Sequence, residues 1–366
     1  MSYENNSVAV AMSGGVDSSL TAALLVEKGC RVAGLTMRLW FDPAAENVPG
    51  RSCCSLEAVN DARKIADQLD IPHYVINLKD EFKREVVDYF VGEYMEGRTP
   101  NPCVICNRRI KFGEFLDKAL AVGAEFLATG HYVRSGWDPE TNRYYLKKGK
   151  DPQKDQSYMM FNLTQEQLSR SMFPLGEYRK EQVRRMAESM NLPVAGKEES
   201  QEVCFIPEGD YRGFLQRQQG GENIAPGPIV DTSGKELGVH SGLPFYTIGQ
   251  RRGLGLTSRY PLYVVDMHPS TNTLVVGAKE ETFAREFWVC DTNFVSVPFP
   301  RNELSANVRI RYRSPEIPAM IYPLDGEEML KVELKAPQSA ITPGQAAVFY
   351  RDDLVLGGGV ISEVKR

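Results

Sequence analysis

The sequence predicts an α/β fold: a doubly wound parallel-sheet domain of the PP-loop, adenine nucleotide α-hydrolase-like kind, followed by two small β-rich domains, the last a β-barrel. Three observations predict it. Apolar strand-length runs alternate with helix-length periodic segments as far as residue 190 or so. A glycine-rich turn joins the first strand to the first helix. From about residue 212, Gly, Pro, Asn and Asp turns separate short β-rich runs and helical periodicity nearly disappears. At 366 residues the chain exceeds one core of ordinary size. Boundaries are expected near 211 and 280, giving units 1–211, 212–280 and 281–366.

The elements follow in order. VAVA at 8–11 is a short buried strand, SGGVDSS is the turn, and LTAALLVEKG is a helix ending at Gly29, a fitting C-cap. RVAGLTM at 31–37 is the second strand. Then come a helix over 55–69, a strand at 73–78, helices over 81–95 and 107–121, and a strand at 125–129. A hairpin is expected over 143–149 and helices over 164–171 and 179–190. Segments such as GPIVDTSGKELG, DMHPSTNT and YPLDGEE punctuate the β-rich remainder.

Composition excludes little beyond extremes: 42% hydrophobic and 25% charged residues describe a globular chain. A formal charge of −5 gives no whole-chain attraction to nucleic acid, so any RNA contact must rest on local basic patches. Neither a leader segment nor an apolar run of about 18 residues is visible, and a cytoplasmic protein with no membrane contact is expected. There, seven cysteines (30, 53, 54, 103, 106, 204 and 290) read as core, reactive or ligating thiols rather than as a disulfide framework.

SGGVDSS places backbone N–H groups at a helix start, where phosphate oxygens bind. Gly14 and Gly15 allow the bend and close approach; Ser13, Ser18 and Ser19 offer hydroxyls; Asp17 can cap the helix or hold Mg2+ beside the phosphates. The lysine of GxxxxGK[ST] is missing, and GxGxxG does not occur at this turn. An isolated SGG would be merely a turn. In this strand-to-helix setting the full string resembles the PP-loop of ATP pyrophosphatases, which cleave between the α and β phosphates and leave AMP on an oxygen of the substrate.

An adenylated oxygen is a leaving group, and thiolates are the nucleophiles to look for. Cys106 precedes NRRIKFGEFLDKAL, where Asn107 can cap a helix and Arg108, Arg109 and Lys111 add positive charge. Cys204 lies alone in SQEVCFIP. Cys30 and Cys290 read as small core residues. Cys53 and Cys54, adjacent in an extended run, point opposite ways. A single CxxC at 103–106, with no second pair and with His73, His131, His240 and His268 scattered, is weak support for structural zinc.

AMSGGVDSS, the CCS at 53–55, GRTPNPCVICNRRIKF, ATGHYVR, KDQSYMMF, SQEVCFIP, GLPFYTIGQRRGLG, VRIRYRS and PGQAAVFY occur in order from residue 8 to about 350. Together they resemble the bacterial tRNA-specific 2-thiouridylase family, which installs sulfur at C2 of the wobble uridine. The resemblance implies an ATP- and Mg2+-dependent enzyme, with Cys204 carrying sulfur as a persulfide and Cys106 as the second catalytic thiol; a disulfide between them would close the cycle. It implies nucleotide contacts from Ala11, Met12, Ser13, Gly14, Gly15, Val16, Asp17, Ser18, Met37 and Gly130. Asn101, Pro102 and Cys103 would meet the target base; His131, Lys154, Asp155, Gln156, Arg311, Tyr312 and Gln345 would touch the tRNA anticodon arm. The expected partners are tRNA and a sulfur-donor or relay protein, and the expected state is a monomer. One position departs from the best-known form of the family, which has aspartate where this chain has Cys103. Cys103, Cys106 and Cys204 could instead ligate a [4Fe–4S] cluster with one open iron; the persulfide route is the favoured reading.

NVRIRYRS at 307–314 alternates, placing Arg309, Arg311 and Arg313 on one face of an expected strand, a fit to phosphates; in isolation it reads as a solvated face with acidic neighbours. Arg251 and Arg252, and Lys180, Arg184 and Arg185 of helix 179–190, are further candidate patches. Two other classes share parts of this pattern. A PP-loop amide-forming synthetase would release pyrophosphate without tRNA, and a metal-binding RNA adaptor would not turn over ATP.

Overall fold

The computed structural model describes residues 4–40, 56–194, 196, 203–206, 209–218, 224–324 and 329–366. Cys53, Cys54 and the flanks of the SQEVCFIP motif lie outside the described residues. The first half holds strands β1 (Ser7–Ala11), β2 (Arg31–Arg38), β3 (His73–Asn77), β4 (Phe126–Ala128), β5 (Val133–Asp138), β6 (Arg143–Lys148) and β7 (Ser171–Met172). Five of them form an all-parallel sheet in the order β3-β2-β1-β4-β7. Val8, Ala9 and Val10 of β1 and Leu127 and Ala128 of β4 are wholly buried, as a strand covered by helices on both faces must be. The chain leaves β1 toward β2 and β3 on one side, while β4 and β7 lie on the other. The carboxyl ends of β1 and β4 therefore flank the switch point, where the crevice of a doubly wound sheet opens.

Helix α1 (Val16–Glu27) follows β1 after the turn 12–15, whose last residue, Gly15, is its N-cap. The expected helix 107–121 begins earlier, at Pro102, and runs to Ala121 with a kink at Gly113 (φ −104°, ψ −107°). It starts early because Asn101 Oδ1 accepts from Val104 N at 3.4 Å and Pro102 occupies the first turn, where its missing N–H costs nothing. The Asn107 cap is thereby corrected: Asn107 is buried and donates from Nδ2 to Met159 O at 2.9 Å. Over Cys106–Glu114 the rod widens into π turns, a distortion that recurs at functional sites. The neighbouring rod, 79–95, widens likewise over Lys83–Asp88, and Arg109 Nη1 meets Glu85 Oε2 at 2.7 Å between the two.

The second half is β. Strands β8 (Gly227–Asp231), β9 (Glu236–His240), β10 (Tyr263–His268) and β11 (Thr273–Gly277) pair in the order β10-β11-β8-β9, with β11 parallel to β8. Strands β12 (Phe283–Asn293), β13 (Leu304–Arg309), β14 (Ile317–Pro323), β15 (Leu330–Ser339), β16 (Ala346–Arg351) and β17 (Leu354–Lys365) form an antiparallel barrel closed by β12 against β17. Alternate residues Phe287, Val308, Ile321, Val332 and Phe349 fill it. The hairpin expected over 143–149 is the return limb of β5-β6, and β6 pairs with β17 of the barrel.

The arginine strand is a second correction. β13 ends at Arg309, and residues 310–314 form a turn. Ser314 Oγ accepts from Arg311 N at 3.2 Å and donates to Arg311 O at 2.9 Å, offering the backbone a local alternative to the ladder. Arg309 points inward, to Asp155 Oδ2 at 3.1 Å and Glu316 Oε1 at 2.8 Å, with its guanidinium 4.9 Å from the Tyr350 ring centroid. The three arginines do not share a strand face.

Candidate active site

The loop after β1 and the loop after β4 face each other across a cleft of about 200 Å3. Ala11, Met12, Ser13, Asp17 and Ser18 line it from the first loop, Met37 from the end of β2, and Thr129, Gly130 and His131 from the second; Lys111 and Gln156 complete the wall. Seven of the residues expected to touch nucleotide thus meet at one cleft. Gly14, Gly15 and Val16 belong to the same loop and helix start but are not among the lining residues. Gly14 has φ +67° and its α-carbon abuts the Ala58 carbonyl so closely that a Cβ would collide. Gly130 sits against α1, where a Cβ would lie 2.9 Å from Asp17 C and Cβ. Ser13 and Ser18 hydroxyls face each other at 3.3 Å. Ser19 is turned away, buried, and donates to Gly15 O at 2.9 Å.

Asp17 is not the helix cap. Its carboxylate accepts from Lys180 Nζ at 2.7 and 2.8 Å and from Tyr132 OH at 2.7 Å. Lys180, expected among the RNA-facing cations, is buried and aimed at the loop. Lys111 Nζ lies 3.4 Å from His131 Nε2. An ammonium only donates, so Nε2 is the acceptor; Nδ1 carries the proton and donates to Thr129 Oγ1 at 2.8 Å. Burial first, and the Lys111 charge second, hold the imidazole well below its usual range. His131 and Gln156, expected at tRNA, thus stand in the cleft wall; the Gln156 side-chain carbonyl accepts from Tyr132 N at 2.9 Å.

A second group of expected residues gathers at the start of helix 102–121. Cys103 is exposed and Cys106 buried, one turn apart. The barrel grips the strap before them: Thr99 N donates to Pro343 O at 2.9 Å, and Gln345 Nε2 donates to Thr99 O at 2.9 Å and Pro100 O at 3.3 Å. Gly344, at φ +90°, lets that loop approach; a Cβ there would sit 2.9 Å from Thr99 N and O. Tyr312, half-buried, has its phenol pushed up chiefly by burial, then by Asp155, with Cys103 near enough to contribute. Arg311 is exposed and donates from Nη2 to Ser339 O at 3.2 Å. Lys154 lies half-buried in the turn 151–156.

Asp155, another residue expected at the tRNA, is buried. Its carboxylate accepts from Gly149 N, Ser157 N and Ser157 Oγ at 3.1, 3.1 and 3.0 Å and pairs with Arg309, so it joins the α/β domain to the barrel from inside.

Cys204 is half-buried within a short turn, Ile206 N donating to Val203 O at 3.1 Å. The turn is anchored by Phe205, whose ring centroid lies 5.7, 5.4 and 5.4 Å from those of Phe82, Phe90 and Phe214. Cys106 belongs to the same apolar cluster, and Cys204 packs against it. Among the described residues, no group of three His, Cys, Asp or Glu side chains is placed to hold a metal ion, and no helix is long and apolar enough to cross a membrane.

An all-parallel sheet with an SGGVDSS loop at its switch point, followed by a four-stranded β unit and a closed six-stranded barrel, defines a PP-loop protein of three-part architecture. Family models described as the tRNA methyl transferase HUP, PRC-barrel and aminomethyltransferase β-barrel domains match residues 6–208, 212–278 and 284–361. Relatives named tRNA-specific 2-thiouridylase MnmA extend over nearly the whole chain. One from Caldanaerobacter subterraneus subsp. tengcongensis is 52% identical, covering 99% of both chains. One from Moorella thermoacetica is 52% identical, covering 97% of this chain and 99% of that protein. One from Carboxydothermus hydrogenoformans is 51% identical, covering 97% of each. The chain belongs to the bacterial tRNA-specific 2-thiouridylase family, a PP-loop family that uses ATP and Mg2+.

Proposed function

We propose that this chain replaces the C2 oxygen of the wobble uridine of tRNA with sulfur, using ATP to prime the oxygen and a cysteine persulfide to deliver the sulfur. The observation that carries it is helix 102–121. This helix bears Cys103 and Cys106 at its start and, before its kink at Gly113, Lys111 on the wall of the nucleotide cleft, five residues and about one wide turn beyond Cys106. A base held at Asn101, Pro102 and Cys103 is thereby a short reach from phosphates held at the SGGVDSS loop.

The chemistry follows from that juxtaposition. Uracil O2 attacks Pα, the Pα–O–Pβ bond breaks, and pyrophosphate departs with the electron pair. The terminal sulfur of a Cys204 persulfide, deprotonated, then adds at C2, and AMP leaves carrying the former O2. A carbonyl oxygen is a poor leaving group until phosphorylated, and a persulfide is a strong nucleophile at neutral pH. Cys106 thiolate attacks Sγ of Cys204, leaving sulfur on C2 and a Cys106–Cys204 disulfide for an external dithiol to reduce. Lys111 and the loop N–H groups offset phosphate charge, and bound Mg2+ would add to that neutralisation.

The described residues do not assemble a three-thiolate donor set, so no step is routed through an iron–sulfur cluster. The catalytic unit is read as 1–211 and the two β domains, which hold the anticodon arm, as 212–280 and 281–366. A sulfur-donor or relay protein recharges Cys204, and a monomer suffices because every residue named is in one chain. Incubation of the protein, its Cys204 first charged with sulfane sulfur from a polysulfide and the excess removed, with unmodified tRNA transcript and Mg-ATP, followed by nucleoside mass spectrometry, tests the reading. 2-Thiouridine at position 34 is expected, absent from Cys204→Ser; activity that tracks bound iron instead of the Cys204 thiol overturns the persulfide route.

A further inference from the structure

Lys180 is a nearly buried ammonium that the reaction scheme above does not use. It begins helix Lys180–Ser189, and its backbone N–H donates to Asp151 Oδ2 at 2.9 Å, which fixes the start of that helix. From there the side chain reaches α1, and Nζ meets both oxygens of Asp17 at 2.7 and 2.8 Å. Nζ also lies 5.8 Å from the centroid of the Tyr132 ring, whose hydroxyl holds the same carboxylate. Asp17 lines the nucleotide cleft in the first turn of α1. A bare carboxylate at that place would repel a polyphosphate, and the Walker lysine that serves other phosphate loops is missing from SGGVDSS.

We propose that Lys180 is the phosphate-binding cation of this loop, brought from a distant helix and held ready by Asp17. When Mg-ATP enters, the ammonium turns from Asp17 to the β and γ phosphates, and Asp17 is released to face the metal. The ammonium then stabilises the pyrophosphate as the Pα–O–Pβ bond breaks. Asp17 and Tyr132 serve as its cradle. This inference rests on the nucleotide cleft assigned above, and on nothing about how sulfur is delivered.

The test compares Lys180→Met, Lys180→Arg and a double variant with the unmutated protein by equilibrium ATP binding and by pyrophosphate release in the presence of unmodified tRNA. Lys180→Met should weaken ATP binding roughly tenfold or more, the worth of a charge-assisted hydrogen bond, and Lys180→Arg should restore part of it. Lys180→Met leaves Asp17 uncompensated and risks misfolding, so Asp17→Asn/Lys180→Met, which carries no unpaired charge, is measured beside it with a thermal melt as control. The double variant should fold and bind ATP at least as weakly as Lys180→Met, because Asp17→Asn also removes the carboxylate that would face the metal. Recovery of native ATP affinity in the double variant would reduce Lys180 to a counterion of Asp17 and overturn the proposal, as would native binding by Lys180→Met. Failure of the unmutated protein to bind ATP at all would instead overturn the assignment of the cleft.

Discussion

Replacing Asp155 by alanine separates a structural carboxylate from an RNA-binding one. Asp155 is almost wholly enclosed, its side chain 3% exposed, and holds four donors: Gly149 N, Ser157 N, Ser157 Oγ and Arg309 Nη1, at 3.0 to 3.1 Å. Truncation leaves buried N–H groups without an acceptor, each worth about 1–3 kcal/mol. It also removes one partner of a largely desolvated ion pair, a loss measured elsewhere at about 3–5 kcal/mol. Arg309 keeps Glu316 and the Tyr350 ring, and the two costs overlap, so about 3–5 kcal/mol is the expected total. For domains of this size that lowers the melting temperature by roughly 10 °C. The assay is a thermal melt without RNA, paired with tRNA binding measured well below the transition. Asp155→Ala should melt early and bind tRNA nearly as the unmutated chain does while it stays folded. Asp155→Asn, keeping an acceptor for the two backbone donors, should lie between. An unchanged melt with a tenfold loss of tRNA affinity would refute this and put the carboxylate on the RNA.

Gly130→Ala should abolish ATP binding while leaving the barrel intact, because its Cβ must displace the first turn of α1; native affinity, measured by titration, would refute the close packing of the two loops. His131 has a folded pKa below its unfolded value near 6.5, so the unfolded chain binds more protons as pH falls through that value. The unmutated protein should then lose stability relative to His131→Gln between pH 7 and 5, by at most about 1.4 kcal/mol per pH unit; a denaturation series showing a constant difference would contradict the buried, neutral imidazole. Arg311→Ala should weaken tRNA binding most at low salt and reduce the slope of log K against log salt by about one; an unchanged slope would remove Arg311 from the phosphate contacts.

The sheet was legible because VAVA, RVAGLTM and EFLAT are too apolar and too short for anything but covered strands, and SGGVDSS fell where a strand becomes a helix. What periodicity conceals is which partner a polar residue finds. Lys180 heads an amphipathic helix and reads as solvent-facing; only the packing of that helix on α1 turns it to Asp17. Lys111 reads as one of several charges beside Cys106, yet it stands in the wall of the nucleotide cleft. The alternation in NVRIRYRS predicted a longer strand than the local bonds of Ser314 permit. Asp155, in KDQSY, is expected at the tRNA from the family resemblance, and the sequence holds no sign that Arg309, 154 residues later, closes over it. Asn101 and Pro102 did carry a readable helix-start signal, Asn followed by Pro, that moves Cys103 from a loop into the first helical turn.

The central claim is that ATP converts the C2 oxygen of uridine into a leaving group. It is tested most directly by the fate of that oxygen. A transcript carrying 18O at C2 of the wobble uridine, incubated with Mg-ATP and protein whose Cys204 has been charged with sulfane sulfur from a polysulfide, should yield 2-thiouridine and AMP in equal amounts, with one 18O in each AMP phosphate. Label appearing in water, or AMP formed without label while sulfur is incorporated, would contradict the account.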